Sequence, residues 1–181
     1  MRQSYDNLVS VAKCSLGNGI FANVDFKRGD LIFIWKGILM RGLYHWRVGK
    51  RWLQIDQYAW IDPYKDNPGC YINHSCNPNS GIRNSIEMVA MREIKKGEEV
   101  TFDYSTSESE DGWYLICHCG EKNCRRLIKP YEFLSEELKL KYRDFVSEYL
   151  RGIKGTRTEQ EIRDRIEAVK QGHPLTYDLT M

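Results

Sequence analysis

Cys117, Cys119 and Cys124 fall within one short stretch, Cys-His-Cys-Gly-Glu-Lys-Asn-Cys. Thiols this crowded are poor core residues but good ligands for a soft cation, and a structural zinc site takes four of them in a tetrahedron. The knuckle supplies three. A fourth must come from another part of the chain, where Cys14, Cys70 and Cys76 are available, and whichever serves is pinned to the knuckle. Cys76 stands in an unusually polar phrase, Tyr-Ile-Asn-His-Ser-Cys-Asn-Pro-Asn at 71–79. Joining that phrase to the knuckle would fix the wall of a site.

The 181 residues suit one domain with a small appendage. Lys and Arg total 27 against 25 Asp and Glu, a net charge of +2 that gives no basis for bulk phosphate-backbone binding. Residues 1–12 are polar and lack the apolar core of a secretory signal. No apolar run reaches bilayer-spanning length. The chain reads as intracellular, and its six cysteines then favour free thiols or metal ligation over disulfides.

Along the chain the pattern is strand-rich, then helical. Residues 8–24 alternate and carry Gly17-Asn18-Gly19. Leu31–Trp35 and Glu87–Met91 are candidate buried strands, and Glu99–Tyr104 alternates after a Lys-Lys-Gly-Glu turn. Residues 41–60 interleave five aromatics with Arg41, Arg47, Lys50 and Arg51. Residues 105–112 form an acidic loop with Glu108, Glu110 and Asp111, a composition that is usually just solvated. After Pro130, Leu138, Tyr142, Phe145 and Tyr149 share one helical face, with Ser135 as the start signal. Gly152 and Gly155 interrupt the chain, and Thr158–Glu161 is a capping box for a second helix presenting Ile162, Ile166 and Val169. This tail shows no chemistry of its own and is expected to pack on the β body.

Four phrases in order, GNG at 17–19, NHSCNPN at 73–79, EEVTFDY at 98–104 and CHCGEKNC at 117–124, resemble the SET-domain protein-lysine methyltransferases, the last resembling that family's post-SET cysteine motif. The resemblance spans about residues 8–126, and the tail is similar to the helical extension of small prokaryotic members. It implies a mainly β SET fold of several small sheets with a knot-like C-terminal segment, over residues 1–112. A zinc-binding post-SET loop at 113–129 and a short α-helical extension at 130–181 would follow. It also implies S-adenosylmethionine as cofactor, one structural zinc, and a lysine acceptor on a histone, histone-like or other basic protein. Membrane or direct nucleic-acid partners are not expected. The setting would be the cytoplasm, or the nucleus in a eukaryote.

The same resemblance assigns residues. Tyr104 matches the catalytic tyrosine. Phe102, Trp35 and Tyr58 are carried over to the lysine channel. Gly17, Asn18, Gly19, Tyr71, Asn73, His74, Tyr104 and Trp113 are carried over to the cofactor site, although a core role suits Trp113 nearly as well. Cys76, Cys117, Cys119 and Cys124 become the zinc ligands, leaving Cys14 and Cys70 as small buried residues. Phe at 102, two residues before Tyr104 and expected on the same strand face, implies room for di- or trimethylation. Two departures from the family pattern concern the substrate side: Trp35-Lys36-Gly37 stands where a tyrosine is common, and Cys70-Tyr71 replaces an Arg-Phe pair. The competing reading is a zinc-stapled binding module that keeps the fold without the activity.

Overall fold

The computed structural model describes residues 7–41, 51–109 and 113–151. Residues 42–50 of the aromatic insert, Glu110 and Asp111, and the second helix expected from Thr158 lie outside the described residues.

The strands are short and collect into small sheets rather than one large one. β1 (Val9–Cys14) and β2 (Gly17–Ala22) form a hairpin in which Cys14 faces Gly17. β3 (Leu31–Ile34), β4 (Gly37–Arg41), β5 (Leu53–Asp56) and β6 (Ala59–Pro63) follow. β7 (Asn73–His74), β8 (Ser80–Arg83), β9 (Glu87–Ala90) and β10 (Glu99–Phe102) complete the body, and β11 (Leu115–Ile116) pairs with β12 (Leu127–Ile128) beyond it. The sheet orders are β1-β2-β10-β7, β3-β9-β8 and β4-β6-β5. β10 is the centre of the first: it runs antiparallel to β2 and parallel to β7, with Thr101 beside Asn73 and Phe102 beside His74. The expected mainly β architecture of several small sheets is therefore present.

The inward residues of these sheets share one core, in which Ile20, Ile32, Phe33, Ile82, Met88, Ile94 and Val100 are wholly buried. A second cluster joins Leu134, Tyr142, Val146 and Leu150 of the tail, and a third is centred on Cys76, Cys117 and Ile128.

Gly17-Asn18-Gly19 is the first half of β2. Two local expectations are corrected. The alternating run ends at Phe102, and Tyr104 opens a 3-10 turn, Tyr104–Thr106, capped by the Asp103 side chain accepting from the Ser105 amide at 3.1 Å. Phe102 and Tyr104 thus do not share a strand face, although their rings lie 4.9 Å apart between centroids. The periodic tail is not one helix: α1 (Glu136–Tyr142) and α2 (Glu148–Arg151) are separate. The break has a hydrogen-bonding cause, since the Phe145 carbonyl accepts from Ile82 N and the Ser147 amide donates to Thr106 O, taking groups a continuous helix would use. Ser135 caps α1 as expected, accepting from Leu138 N at 3.3 Å.

Candidate active site and metal centre

Because β10 lies between β2 and β7, it brings the three distant phrases together. The Asn73 side-chain amide donates to Asn18 O at 3.0 Å and to Glu99 Oε1 at 2.8 Å, with Cys14 Sγ at 3.3 Å. A Cβ at Gly19 would collide with the Glu99 carboxylate and crowd Asn73 Nδ2 at 3.1 Å, so glycine lets this cluster close. Gly17 has φ +109° and open space where its Cβ would lie, which leaves its backbone accessible on that side.

Tyr104 is anchored at two atoms. Its amide donates to His74 Nδ1 at 3.2 Å, and its hydroxyl donates to the Ile72 carbonyl at 2.8 Å. With its proton engaged, the phenolic oxygen presents lone pairs, an arrangement suited to accepting from an amine. Burial pushes the phenol up to about 12, so it stays neutral in the physiological range. The rings of Phe33, Trp35, Phe102 and Tyr104 form a row with successive centroids 5.8, 6.2 and 4.9 Å apart. Trp35 is buried within it, over Gly69, and its indole N–H has no protein partner. Tyr58 lies outside that row, in the β5–β6 turn, where its hydroxyl accepts from Gln57 Nε2 at 3.0 Å. Tyr71 packs on the core with the Arg51 guanidinium 5.7 Å from its ring centre.

The His74 ring connects this site to the cysteines. Since Nδ1 accepts from Tyr104 N, the ring proton belongs on Nε2, which faces Cys76 Sγ at 3.3 Å. Burial lowers the imidazole to about 4, against the opposing pull of Asp103, so it is neutral at pH 7.

Cys76, Cys117, Cys119 and Cys124 place their sulfurs within 4.8 Å of one another. A tetrahedron with zinc–sulfur bonds of ~2.3 Å has sulfur–sulfur edges of ~3.8 Å. Cys76 Sγ and Cys117 Sγ are 3.9 Å apart, already at that spacing. Amide donors stand ready for thiolates: Arg125 N to Cys76 Sγ and Cys119 N to Cys117 Sγ, both at 3.4 Å. Burial pushes the Cys117 thiol far up, whereas at Cys119 hydrogen bonding outweighs burial and holds the thiol at about 7. Gly120, at φ +77°, makes the turn of the knuckle. The donor set fits a structural zinc with four protein ligands. His118 is exposed outside the sulfurs. Cys14 and Cys70 are half-buried, Cys70 Sγ pointing at Tyr64 O at 3.1 Å. Trp113 packs against the cysteine cluster.

Sequence reasoning passed over the pair that ties the two centres together. Arg125, next to Cys124, sends one guanidinium nitrogen to both oxygens of Asp103, next to Tyr104, at 2.6 and 2.7 Å. Asp103 is almost wholly buried. Adjacency to both motifs was the available signal, but nothing in the sequence paired them. Glu99 was passed over in the same way, as an ordinary polar residue of an alternating strand.

The SET domain family matches residues 17–105. Histone-lysine N-methyltransferase 2B of Homo sapiens is 30% identical over 129 residues, which cover 62% of this chain and 5% of that protein. Histone-lysine N-methyltransferase ASHH3 of Arabidopsis thaliana is 33% identical over 143 residues, covering 68% of this chain and 38% of that protein. The chain therefore spans only a minor part of these relatives. The solved structure of KRYPTONITE in complex with mCHH DNA, H3(1-15) peptide and SAH superposes with a TM-score of 0.54 at 23% identity, over 67% of this chain and 29% of that one, a likeness of fold. Through residues 17–105 the chain belongs to the SET-domain family and is homologous to histone-lysine methyltransferases.

Proposed function

We propose that the protein is an S-adenosylmethionine-dependent protein-lysine N-methyltransferase acting on a histone, histone-like or other basic protein. The observation that carries this reading is Tyr104, with its hydroxyl proton committed to the Ile72 carbonyl and its ring beside Phe102 and His74. S-Adenosylmethionine, when bound, supplies an electrophilic methyl group on a sulfonium. Gly17, Asn18, Gly19, Asn73, His74 and the half-buried Tyr71 and Trp113 would hold it, the accessible Gly17 backbone allowing close approach. The acceptor must be a neutral amine, whereas free lysine titrates near roughly 10.4. An aromatic lining disfavours the ammonium by desolvation. The Tyr104 oxygen then orients the amine through a hydrogen bond, and alignment supplies much of the acceleration. The amine proton leaves to solvent.

Phe102 presents no hydroxyl that could hold a water or the amine in one orientation, so a partly methylated amine can turn and react again. This supports di- or trimethylation. Cys76, Cys117, Cys119 and Cys124 would hold one structural zinc. All six cysteines are unbridged thiols, which supports an intracellular setting, cytoplasmic or nuclear. Among the described residues no helix is long and apolar enough to cross a membrane.

The test is incubation of zinc-loaded protein with methyl-labelled S-adenosylmethionine and a panel of histones and other basic proteins. Label should appear on lysine with wild type and fall at least a hundredfold with Tyr104→Phe. Cofactor binding without transfer to any substrate would favour the binding module instead, and no cofactor binding would overturn both the enzyme and its site.

A further inference from the structure

The turn that carries Tyr104 is too short to hold itself. Its internal bonds run from Thr106 N to Asp103 O at 2.9 Å and from Ser107 N to Tyr104 O at 3.0 Å. The Thr106 and Ser107 side chains add bonds to the same two carbonyls, at 2.7 and 3.2 Å. That leaves the carbonyls of Thr106 and Ser107, both residues almost wholly buried, with no partner in the turn. A buried carbonyl without a donor is costly, so something outside must supply one.

The donors come from the C-terminal extension. Ser147 N reaches Thr106 O at 3.0 Å, and the Tyr149 hydroxyl reaches Ser107 O at 2.7 Å. The segment that does this is itself fixed to the β body on both sides. Ile82 N donates to Phe145 O at 3.1 Å, and Glu148 N donates to the buried Ser85 hydroxyl at 3.2 Å. Below it, the Ser105 hydroxyl donates to Lys129 O at 2.6 Å. Tyr142, at the end of α1, is wholly buried with its hydroxyl near Asp103. The helical extension therefore caps the catalytic turn from its C-terminal side, as His74 and Ile72 fix Tyr104 from its N-terminal side.

We infer that residues 145–150 form a clamp on the active site and that Tyr149 is a positioning residue, acting on Tyr104 through the Ser107 carbonyl. The catalytic part of this inference rests on the methyltransferase reading, whereas the clamp itself does not. Without the Tyr149 hydroxyl, Ser107 O loses its donor, the turn loosens, and the Tyr104 oxygen wanders from its line with the amine. Small misplacement of a catalytic group costs rate far more than it costs binding.

The experiment compares full-length, zinc-loaded wild type with Tyr149→Phe and with Ile32→Val, a change in the wholly buried core of β3 that lowers stability without touching the turn. Hydrogen exchange is followed at Thr106 and Ser107, with Phe33 as internal reference, and kcat, KM and cofactor Kd are measured on a methylated substrate. In Tyr149→Phe, exchange at Thr106 and Ser107 should accelerate about tenfold relative to Phe33 and kcat should fall about tenfold, with cofactor Kd held within about twofold. Ile32→Val should show neither change. Unchanged exchange at the turn in Tyr149→Phe overturns the clamp, whatever the activity. A kcat loss that merely tracks thermal stability in both variants overturns the positioning role. If wild type transfers no methyl group, the proposed function falls and takes that role with it, while the exchange result still decides the clamp.

Discussion

Removing Arg125 is the sharpest perturbation the structure offers, because it leaves a charge in the wrong place. Asp103 has a side-chain exposure of 1%, against 22% for Arg125. Substituting Arg125 by Met keeps much of the stem volume but strips the carboxylate of its contacts at 2.6 and 2.7 Å, leaving the Ser105 amide at 3.1 Å. Breaking a buried pair from one side costs about 3–5 kcal/mol, and water entering where the guanidinium stood puts this case at the lower end, about 3 kcal/mol. Asp103→Asn keeps the acceptor for Ser105 while removing the charge, so it should cost about 1–2 kcal/mol. In the double variant no charge is stranded, and the cycle should return a coupling of about 2 kcal/mol. The assay is urea denaturation at a fixed excess of zinc, because metal bound only by the folded state adds to apparent stability. A coupling below about 0.5 kcal/mol would mean that the pair does not join the knuckle to the Tyr104 turn, and the reasoning would fail.

Wild-type protein should carry one zinc per chain, and Cys76→Ser should weaken it by more than about a hundredfold in a competitive chelator titration; a full equivalent retained at wild-type affinity would refute the four-cysteine site. Phe102→Tyr should shift product from di- and trimethyl-lysine towards monomethyl-lysine by mass spectrometry, and an unchanged distribution would remove Phe102 from product control. Burial raises Tyr104 to about 12, so the neutral phenol is favoured in the folded state; that stability is fully present below about 10 and is lost as pH climbs from there through about 12. The phenolate absorbance difference between wild type and Tyr104→Phe should therefore emerge only towards pH 12, and a difference centred near 10 would contradict the burial assigned to this ring.

The strands that were legible in the sequence are those whose signal is mainly apolar, such as Leu31–Ile34 and the Met88–Ala90 part of β9, since burial on both faces leaves no alternative pattern to compete. Alternation misjudged Tyr104 because it has no term for a side chain that caps its own backbone. Asp103 looks like one more outward polar residue, yet its carboxylate takes the Ser105 amide and turns the chain out of the strand. The tail erred in the opposite direction. Tyr142, Phe145 and Tyr149 are indeed turned inward, so the spacing reported burial correctly, but spacing cannot say whether the backbone bonds to itself or to a neighbour. The Phe145 carbonyl and the Ser147 and Glu148 amides went to the β body. Cys76 could be chosen over Cys14 and Cys70 only by resemblance, because no spacing rule reaches between segments that far apart.

β7 exposes how the cysteine cluster and Tyr104 are joined in one device. It is only two residues long, and two parallel residue pairs cannot hold a strand in place alone. Its position must come from its flanks. Upstream, the Ile72 carbonyl is held by the Tyr104 hydroxyl. Downstream, Ser75 N bonds Phe102 O at 3.1 Å, and Cys76 enters the sulfur cluster. Between them His74 accepts from Tyr104 N on one side of its ring and faces Cys76 Sγ on the other. Asn73 and His74 are thus strung between a phenol and a cluster of thiols. A ligand that fixes Cys76 fixes the imidazole, and the imidazole fixes the Tyr104 backbone. Loss of metal should accordingly reach Tyr104 through two residues, without any change in the β3-β9-β8 sheet or the core it covers.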